Sequence, residues 1–276
     1  MNPSRPGPLS PASAHILRGL AVESHLRAVR DAGRKILVTY VTGGLGPDWV
    51  DALQAMVEAG ADLVEVGIPF SDPVMDGPTI QEASSRALAG GANPASILEP
   101  LRRLDVPVPL VAMTYYNVVF RTGHIRFARM LGEAGVRGAI IPDLPLEESG
   151  DWEAVAAESG IEAVLLAAPV SPADRLAELC RRSHGFVYGV NLMGVTGERA
   201  SVSSSAGILA GRLKAVTDKP VVMGFGVSGP EQAVAAAQGA DGVVVASALM
   251  RLLLDGAGPD AVGDAVAALR AALDGA

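Results

Sequence analysis

Apolar residues along the chain come in short unbroken runs, and these alternate with amphipathic stretches. Four of the runs share one grammar: Glu58-Ala-Gly-Ala-Asp-Leu-Val-Glu-Val, Glu133-Ala-Gly-Val-Arg-Gly-Ala-Ile-Ile, Glu158-Ser-Gly-Ile-Glu-Ala-Val-Leu-Leu and Ala237-Gln-Gly-Ala-Asp-Gly-Val-Val-Val. Each reads as a helix end, a glycine suited to the C′ position, a short turn and an apolar strand. Parallel strands covered on both faces are written as such continuous runs of Val, Ile and Leu. Four more strands are predicted at 36–40, 109–114, 186–190 and 221–224. Helical patterns fall between strands at 49–59, 94–104, 125–134, 151–158, 173–182, 208–216 and 230–237. Strand–helix alternation repeated eight times over ~250 residues predicts a single (β/α)8 barrel of the TIM type. An extra N-terminal helix at about 14–32 is expected to lie outside the barrel proper. A doubly wound sheet would follow its first strand with G-x-G-x-x-G. Here the first strand runs into Val41-Thr-Gly-Gly-Leu-Gly-Pro47, which does not fit. No domain boundary is visible, so residues 14–276 are expected to form one barrel domain. Residues 1–13, with four prolines and three serines, are expected to be disordered.

Composition narrows the setting. The chain has 276 residues, 49% of them hydrophobic, and a formal net charge of −8, which describes a soluble acidic globule. No basic run interleaved with aromatics is present, so a nucleic-acid surface is not expected. Cys180 is the only cysteine, which rules out an intrachain disulfide and makes a reducing cytoplasm the expected location. No apolar run approaches the ~20 residues of a membrane span, and the N-terminus lacks a signal-peptide core.

The richest segment is Glu65-Val-Gly-Ile-Pro-Phe-Ser-Asp-Pro-Val-Met-Asp-Gly-Pro-Thr-Ile-Gln81. It begins as a strand with a carboxylate in its middle and becomes a loop carrying Asp72 and Asp76 ahead of a helix. Alternation puts Leu63, Glu65 and Gly67 on one face of that strand, with Val64 and Val66 on the other. If both faces are covered, Glu65 is buried. A buried, unpaired carboxylate has a raised pKa, which suits a general acid at neutral pH.

Barrel enzymes carry their catalytic groups at strand C-termini and in the loops that follow. Those positions hold Tyr115, Tyr116 and Asn117 after strand 3, Asp143 after strand 4, and Tyr188 on strand 6. Strand 7 leads into Gly224-Phe-Gly-Val-Ser-Gly229 and strand 8 into Ala246-Ser-Ala248. Small residues after strands 7 and 8 are the usual phosphate cradle of this fold, with donors from backbone N–H groups. Gly194 and Gly197 add further candidate donors. Lysine occurs only at Lys35, Lys214 and Lys219, none at a strand C-terminus, which excludes a Schiff-base aldolase on placement. His15, His25, His124 and His184 show no ligand spacing, so no metal site is expected from them, although carboxylates alone could bind Mg²⁺. Carboxylate acid–base chemistry on a phosphorylated substrate remains. Structural alternatives stand beside each candidate. Glu65 also suits an ion pair, Asp72 a turn before Pro73, and Asp76 a helix start with Gly77 and Pro78. Tyr115 and Tyr188 also suit barrel filling, and Cys180 an inert small residue.

At these residues the chain resembles the tryptophan synthase alpha chain family. Its most specific signature, a strand with a central Glu followed by G-[IV]-P-F-S-D-P and D-G-P-T-I-Q, stands intact from Glu65 to Gln81. Supporting matches are Thr114-Tyr-Tyr-Asn117, Pro142-Asp-Leu-Pro145, Gly194-Val-Thr-Gly197 and Gly224-Phe-Gly-Val-Ser228, and the likeness runs from about 15 to 270. The resemblance implies retro-aldol cleavage of indole-3-glycerol phosphate to indole and glyceraldehyde 3-phosphate. It makes Glu65 the acid at indole C3 and then the base, and Asp76 the acceptor of the indole N–H. Tyr188 would place Glu65 and the glycerol chain, Tyr115 would line the indole pocket, and Thr196 would lie in a closing loop. The phosphate would rest on Gly197, Phe225, Gly226, Ala246 and Ser247. No cofactor is implied in this chain; pyridoxal phosphate is expected only in a partner beta chain, in an alpha2beta2 heterotetramer.

Two departures accompany the likeness: Ala246 where the family usually has glycine, and Asn191-Leu-Met193 where it often carries hydroxyl or basic residues. Three readings stay open on sequence: an alpha subunit in tryptophan biosynthesis, a stand-alone lyase releasing indole, and a weakly catalytic activating subunit.

Overall fold

A computed structural model describes residues 21–190, 199–224 and 226–276. Eight parallel strands close in sequential order: β1 (Ile36–Thr42), β2 (Leu63–Gly67), β3 (Leu110–Met113), β4 (Val136–Ile140), β5 (Glu162–Ala167), β6 (Val187–Val190), β7 (Val221–Gly224) and β8 (Gly242–Val245). Twelve helices are found among the described residues. They are α1 (Val22–Asp31), α2 (Trp49–Glu58), α3 (Pro78–Ala89), α4 (Pro94–Leu101), α5 (Tyr116–Thr122), α6 (His124–Glu133), α7 (Gly150–Glu158), α8 (Ala173–Arg182), α9 (Arg199–Lys214), α10 (Pro230–Ala237), α11 (Ser247–Leu254) and α12 (Pro259–Asp274). The expected (β/α)8 barrel is the fold. None of these helices is long and apolar enough to cross a membrane.

The repeated grammar works as its residue types require. Gly60, Gly135, Gly160 and Gly239 follow the last turns of α2, α6, α7 and α10, all at positive φ. Only glycine takes that conformation without strain, so each helix stops there and the chain turns into a strand. Two residues later, three of the four repeats place an acid at the N-terminal mouth of the barrel. Asp62 accepts a hydrogen bond from the Leu37 N–H and Asp241 from the Val221 N–H, both at 2.8 Å. Glu162 accepts one at 2.9 Å from the Glu23 N–H, at the open first turn of α1. Arg270 of α12 and Lys214 of α9 neutralise Asp62 and Asp241.

Helix α1 stands outside the strand–helix repeat, as expected from sequence, and packs against the bottom of the barrel. Val22 and Leu26 are fully buried and join Ile36, Leu63, Val111, Ile140, Phe186, Val222 and Val244 in the barrel's interior cluster. The helix therefore plugs the N-terminal mouth. Its predicted residues 14–20, and the predicted disordered segment 1–13, lie outside the described residues.

Other boundaries differ for physical reasons. Tyr116 and Asn117 open α5 instead of lying in a loop. The helix expected at 208–216 begins at Arg199, because the polar run Ser203-Ser-Ser205 hides its periodicity. Helices α11 and α12 were not anticipated as elements. Yet α12 carries Val262, Val266, Leu269 and Leu273 buried along one face.

Arg137 occupies the fourth repeat's acid position and breaks its rule. It is buried, its Nη2 has no hydrogen-bond partner, and burial depresses its pKa. Strand β3 also shifts register against β4 at this point, between Leu110 and Val111. An unsatisfied buried donor costs about 1–3 kcal/mol. Arg137→Met keeps the apolar stem and removes the donor, so thermal denaturation is expected to show a Tm higher by about 2–4 °C. A lower Tm would mean that the guanidinium stabilises the fold.

Candidate active site

Glu65 sits at the centre of β2, with Tyr40 of β1 and Val111 of β3 as its register partners. Neighbours in register on parallel strands point the same way, so Tyr40 and Glu65 stand abreast on the inner wall. The Leu63, Glu65, Gly67 alternation is thus as expected. Glu65 is 1% exposed, and its Oε1 has no hydrogen-bond partner. Among the described residues no cation pairs with it. Burial alone pushes its pKa up to about 8.

Space around this carboxyl is shaped by two glycines. A Cβ on Gly67 would fall 1.9 Å from the Tyr40 hydroxyl oxygen, and one on Gly224 would fall 2.5 Å from the Tyr188 ring. Both positions must be glycine for the two phenols to lie across the upper barrel. The Thr42 hydroxyl donates to the Tyr40 hydroxyl oxygen at 3.3 Å. Tyr188 is buried, and its pKa is held well above the usual value, first by burial and then by the charges of Glu65 and Asp76.

Asp76 approaches from the loop between β2 and α3. It is half-buried, and burial raises its pKa to about 6 against the opposing effect of a hydrogen bond with the Tyr115 hydroxyl. Its backbone also starts α3: Gly77 is the N-cap residue, Pro78 sits in the first turn, and the Gln81 side-chain amide donates to the Asp76 carbonyl at 2.8 Å. The helix-start role of its backbone and the half-buried carboxyl coexist. A narrow cleft beside Asp76 is lined by Tyr40, Phe70, Asp76, Met113 and Tyr115.

The remaining candidates separate clearly. Asp72 is exposed, and its carboxylate accepts from the Ser71 hydroxyl at 2.6 Å, so it shapes the loop. Asp143 accepts the Tyr116 N–H at 2.7 Å and thereby closes the first turn of α5. Gly226 has positive φ and open space where a Cβ would stand. Ala246 is the N-cap residue of α11 at φ −119° and Ser247 is that helix's exposed first residue. Since Ala246 has negative φ, the methyl there imposes no backbone strain. Thr196, Gly197 and Phe225, together with Asn191, Leu192, Met193 and Gly194, lie outside the described residues. All three lysines lie toward the opposite mouth: Lys35 donates to the Ala240 carbonyl, Lys214 pairs with Asp241, and Lys219 donates to the Cys180 and Arg181 carbonyls. Tyr40 is the site residue that the sequence motifs missed. An aromatic side chain with inward parity at the end of strand 1 was its only signal.

A sequence model of the family described as "Tryptophan synthase alpha chain" matches residues 26–270. The chain is 45% identical over 258 residues to the tryptophan synthase alpha chain of Streptomyces coelicolor, covering 90% of this chain and 93% of that one. It is 43% identical over 262 residues to that of Halorhodospira halophila, covering 92% and 96%. Among solved structures, tryptophan synthase from Mycobacterium tuberculosis superimposes with a TM-score of 0.85 at 40% identity, covering 92% of this chain and 98% of that one. Tryptophan synthase subunit alpha of Legionella pneumophila gives 0.83 at 31% identity, covering 92% and 98%.

The Glu65 geometry has a stability consequence of definite sign. Its folded pKa, about 8, lies above the ordinary value of 4.5. Between those values the folded chain holds a proton that the unfolded chain has released, so stability falls as pH rises. A glutamine has no such dependence. Glu65→Gln should therefore gain stability relative to the parent by about 1 kcal/mol per pH unit from pH 5 to pH 8. Parallel curves in denaturant titrations across that range would show that Glu65 is not held protonated by the fold.

Proposed function

The chain belongs to the tryptophan synthase alpha chain family, with a lyase role in tryptophan biosynthesis, and on that premise we propose that Glu65 and Asp76 cleave indole-3-glycerol phosphate between them. The observation that supports this most is the divergence of the two acids. Between pH 6 and pH 8, Glu65 is protonated and Asp76 is ionised. A retro-aldol reaction on this substrate needs that combination. Glu65 delivers its proton to indole C3, which turns the ring into a cationic electron sink. Asp76 accepts the hydrogen bond of the ring N–H and stabilises the developing charge. Ionised Glu65 then takes the proton of the glycerol hydroxyl beside the scissile bond. The C–C bonding electrons return to the ring, indole leaves, and the hydroxyl carbon becomes the aldehyde of glyceraldehyde 3-phosphate. Glu65 finishes as it began, protonated.

The substrate's own ring serves as electron sink, so the proposed steps need no cofactor in this chain. Tyr188 and Tyr40 fill the wall beside Glu65 and keep bulk water from its carboxyl. Gly226, Ala246 and Ser247, joined by Gly197, Phe225 and the Thr196 loop, are the proposed phosphate and closing elements. The family implies a beta chain as partner; we assign the pyridoxal phosphate to that chain and an alpha2beta2 stoichiometry to the assembly.

Indole release by the purified chain, followed against pH, is expected to be bell-shaped, with limbs near 6 and 8. Glu65→Gln should abolish turnover while a substrate analogue still binds. Asp76→Asn should lower kcat by about 10²-fold or more. Full turnover in either variant would remove that residue from the mechanism. Mixing with a beta chain should raise the rate and give a complex of alpha2beta2 mass by light scattering. A high rate that the beta chain leaves unchanged would instead favour a stand-alone indole-releasing lyase.

A further inference from the structure

Asp76 has to hold its carboxylate still on a loop rich in turn residues, and Tyr115 is the side chain that grips this loop at three points. Its ring stacks on Phe70 with centroids 5.3 Å apart and planes 26° from parallel. The hydroxyl oxygen accepts the Met75 N–H at 2.9 Å. That leaves the phenol proton free to turn toward the Asp76 carboxylate, whose charged form the hydroxyl favours. A phenol has one proton to give and lone pairs to receive, so the two bonds are compatible and polarise each other in the same direction. Tyr115 itself is rigidly based. It is the N-cap residue of α5, 4% exposed, and directly precedes Tyr116, whose N–H is tied to Asp143. The segment from Phe70 to Asp76 is thus anchored to the end of β3 through one aromatic side chain.

We infer that Tyr115 is a positioning residue for Asp76, holding the loop from Phe70 to Asp76 in place in addition to lining the pocket. This rests on the acid–base reading above. The groups that Asp76 acts on electrostatically are Tyr40 of β1, Tyr115 and Tyr188 of β6; Asp143 also acts on Tyr115. Only Tyr115 gives Asp76 a hydrogen bond that lowers its pKa. Removing that hydroxyl lets burial act unopposed, so the Asp76 pKa moves up from about 6 toward neutrality. Since Asp76 works ionised, the acid limb of the rate profile must move to higher pH.

Tyr115→Phe preserves the ring and its stacking and deletes only the hydroxyl. With indole-3-glycerol phosphate as substrate, kcat at pH 7 is expected to fall about ten-fold, with KM changed little. The acid limb should rise by about half a unit to one unit while the limb near 8 stays in place. Hydrogen exchange on the free variant should show faster exchange in peptides covering 70–76, with peptides in β1 and β8 unchanged. An acid limb that stays at the parent's pH, or a rise in KM alone, would overturn the positioning role and leave Tyr115 a pocket wall. Unchanged exchange at 70–76 would overturn the anchoring. The parent chain run alongside separates the two ideas. If the parent releases no indole, the acid–base reading has failed; if it releases indole normally and the variant's acid limb does not move, only the role of Tyr115 has.

Discussion

Everything about this site follows from one unfavourable act: a carboxyl is buried in the wall of a barrel with no partner for one of its oxygens. Desolvating a charged carboxylate is costly, so the fold keeps Glu65 protonated and lifts its pKa to about 8. That is a loss for stability and a gain for chemistry, because a protonated acid at neutral pH can act as a donor. The closed barrel makes the loss tolerable. Eight strands closed into one sheet, an apolar plug of interior side chains and the α1 stopper supply enough burial to carry one unfavourable group.

The same closure decides which residues surround that acid. Register sets Tyr40 beside Glu65, and inward parity sets Gly67 and Gly224 one step higher on their strands. The missing side chains are filled by the Tyr40 and Tyr188 rings folding over them. Small and large side chains thus alternate around the upper barrel, as a filled interior requires. The phenols desolvate Glu65 without neutralising it. A lysine or arginine in either place would pair with the carboxylate and drive its pKa down. Aromatic filling near the acid and cationic pairing at the far mouth are therefore two parts of one charge arrangement.

Much of this was legible in the residues. Alternation put Glu65 on the inner face, and glycines at the C′ positions marked four helix ends. The long 65–81 motif identified the acids. What escaped had physical reasons. Tyr40 has no motif of its own; its importance comes from register with β2, a pairing fixed by the closed sheet. The capping role of Asp143 depends on α5 arriving from another strand. Helix α9 begins in a serine-rich run with no apolar stripe. By contrast α12 carries its apolar stripe openly at Val262, Val266, Leu269 and Leu273. The N-terminal helix is legible as an element outside the barrel, but its place as a plug is not, because periodicity reveals an apolar face without revealing what covers it.

Asp62 and Glu65, three residues apart, show how a structural buried acid differs from a chemical one. Burial raises the pKa of both. Asp62 lies just before β2, at the N-terminal mouth, where the adjoining strand begins with a free N–H and the outer helices bring in arginines. It receives the Leu37 N–H at 2.8 Å and the Arg270 guanidinium at 3.1 Å. Glu65 lies far enough up the strand that β1 already spends its N–H groups on the sheet, and the interior offers aromatic rings instead of cations. The discriminating quantity is thus the supply of donors, not the depth of burial. Parallel sheets place that supply at the N-terminal end, where each strand starts with unsatisfied N–H groups. An acid there becomes a clamp, as Asp62 and Asp241 do. An acid halfway along the strand, facing inward, has no donor within reach, and its proton remains available to whatever enters the barrel's upper mouth.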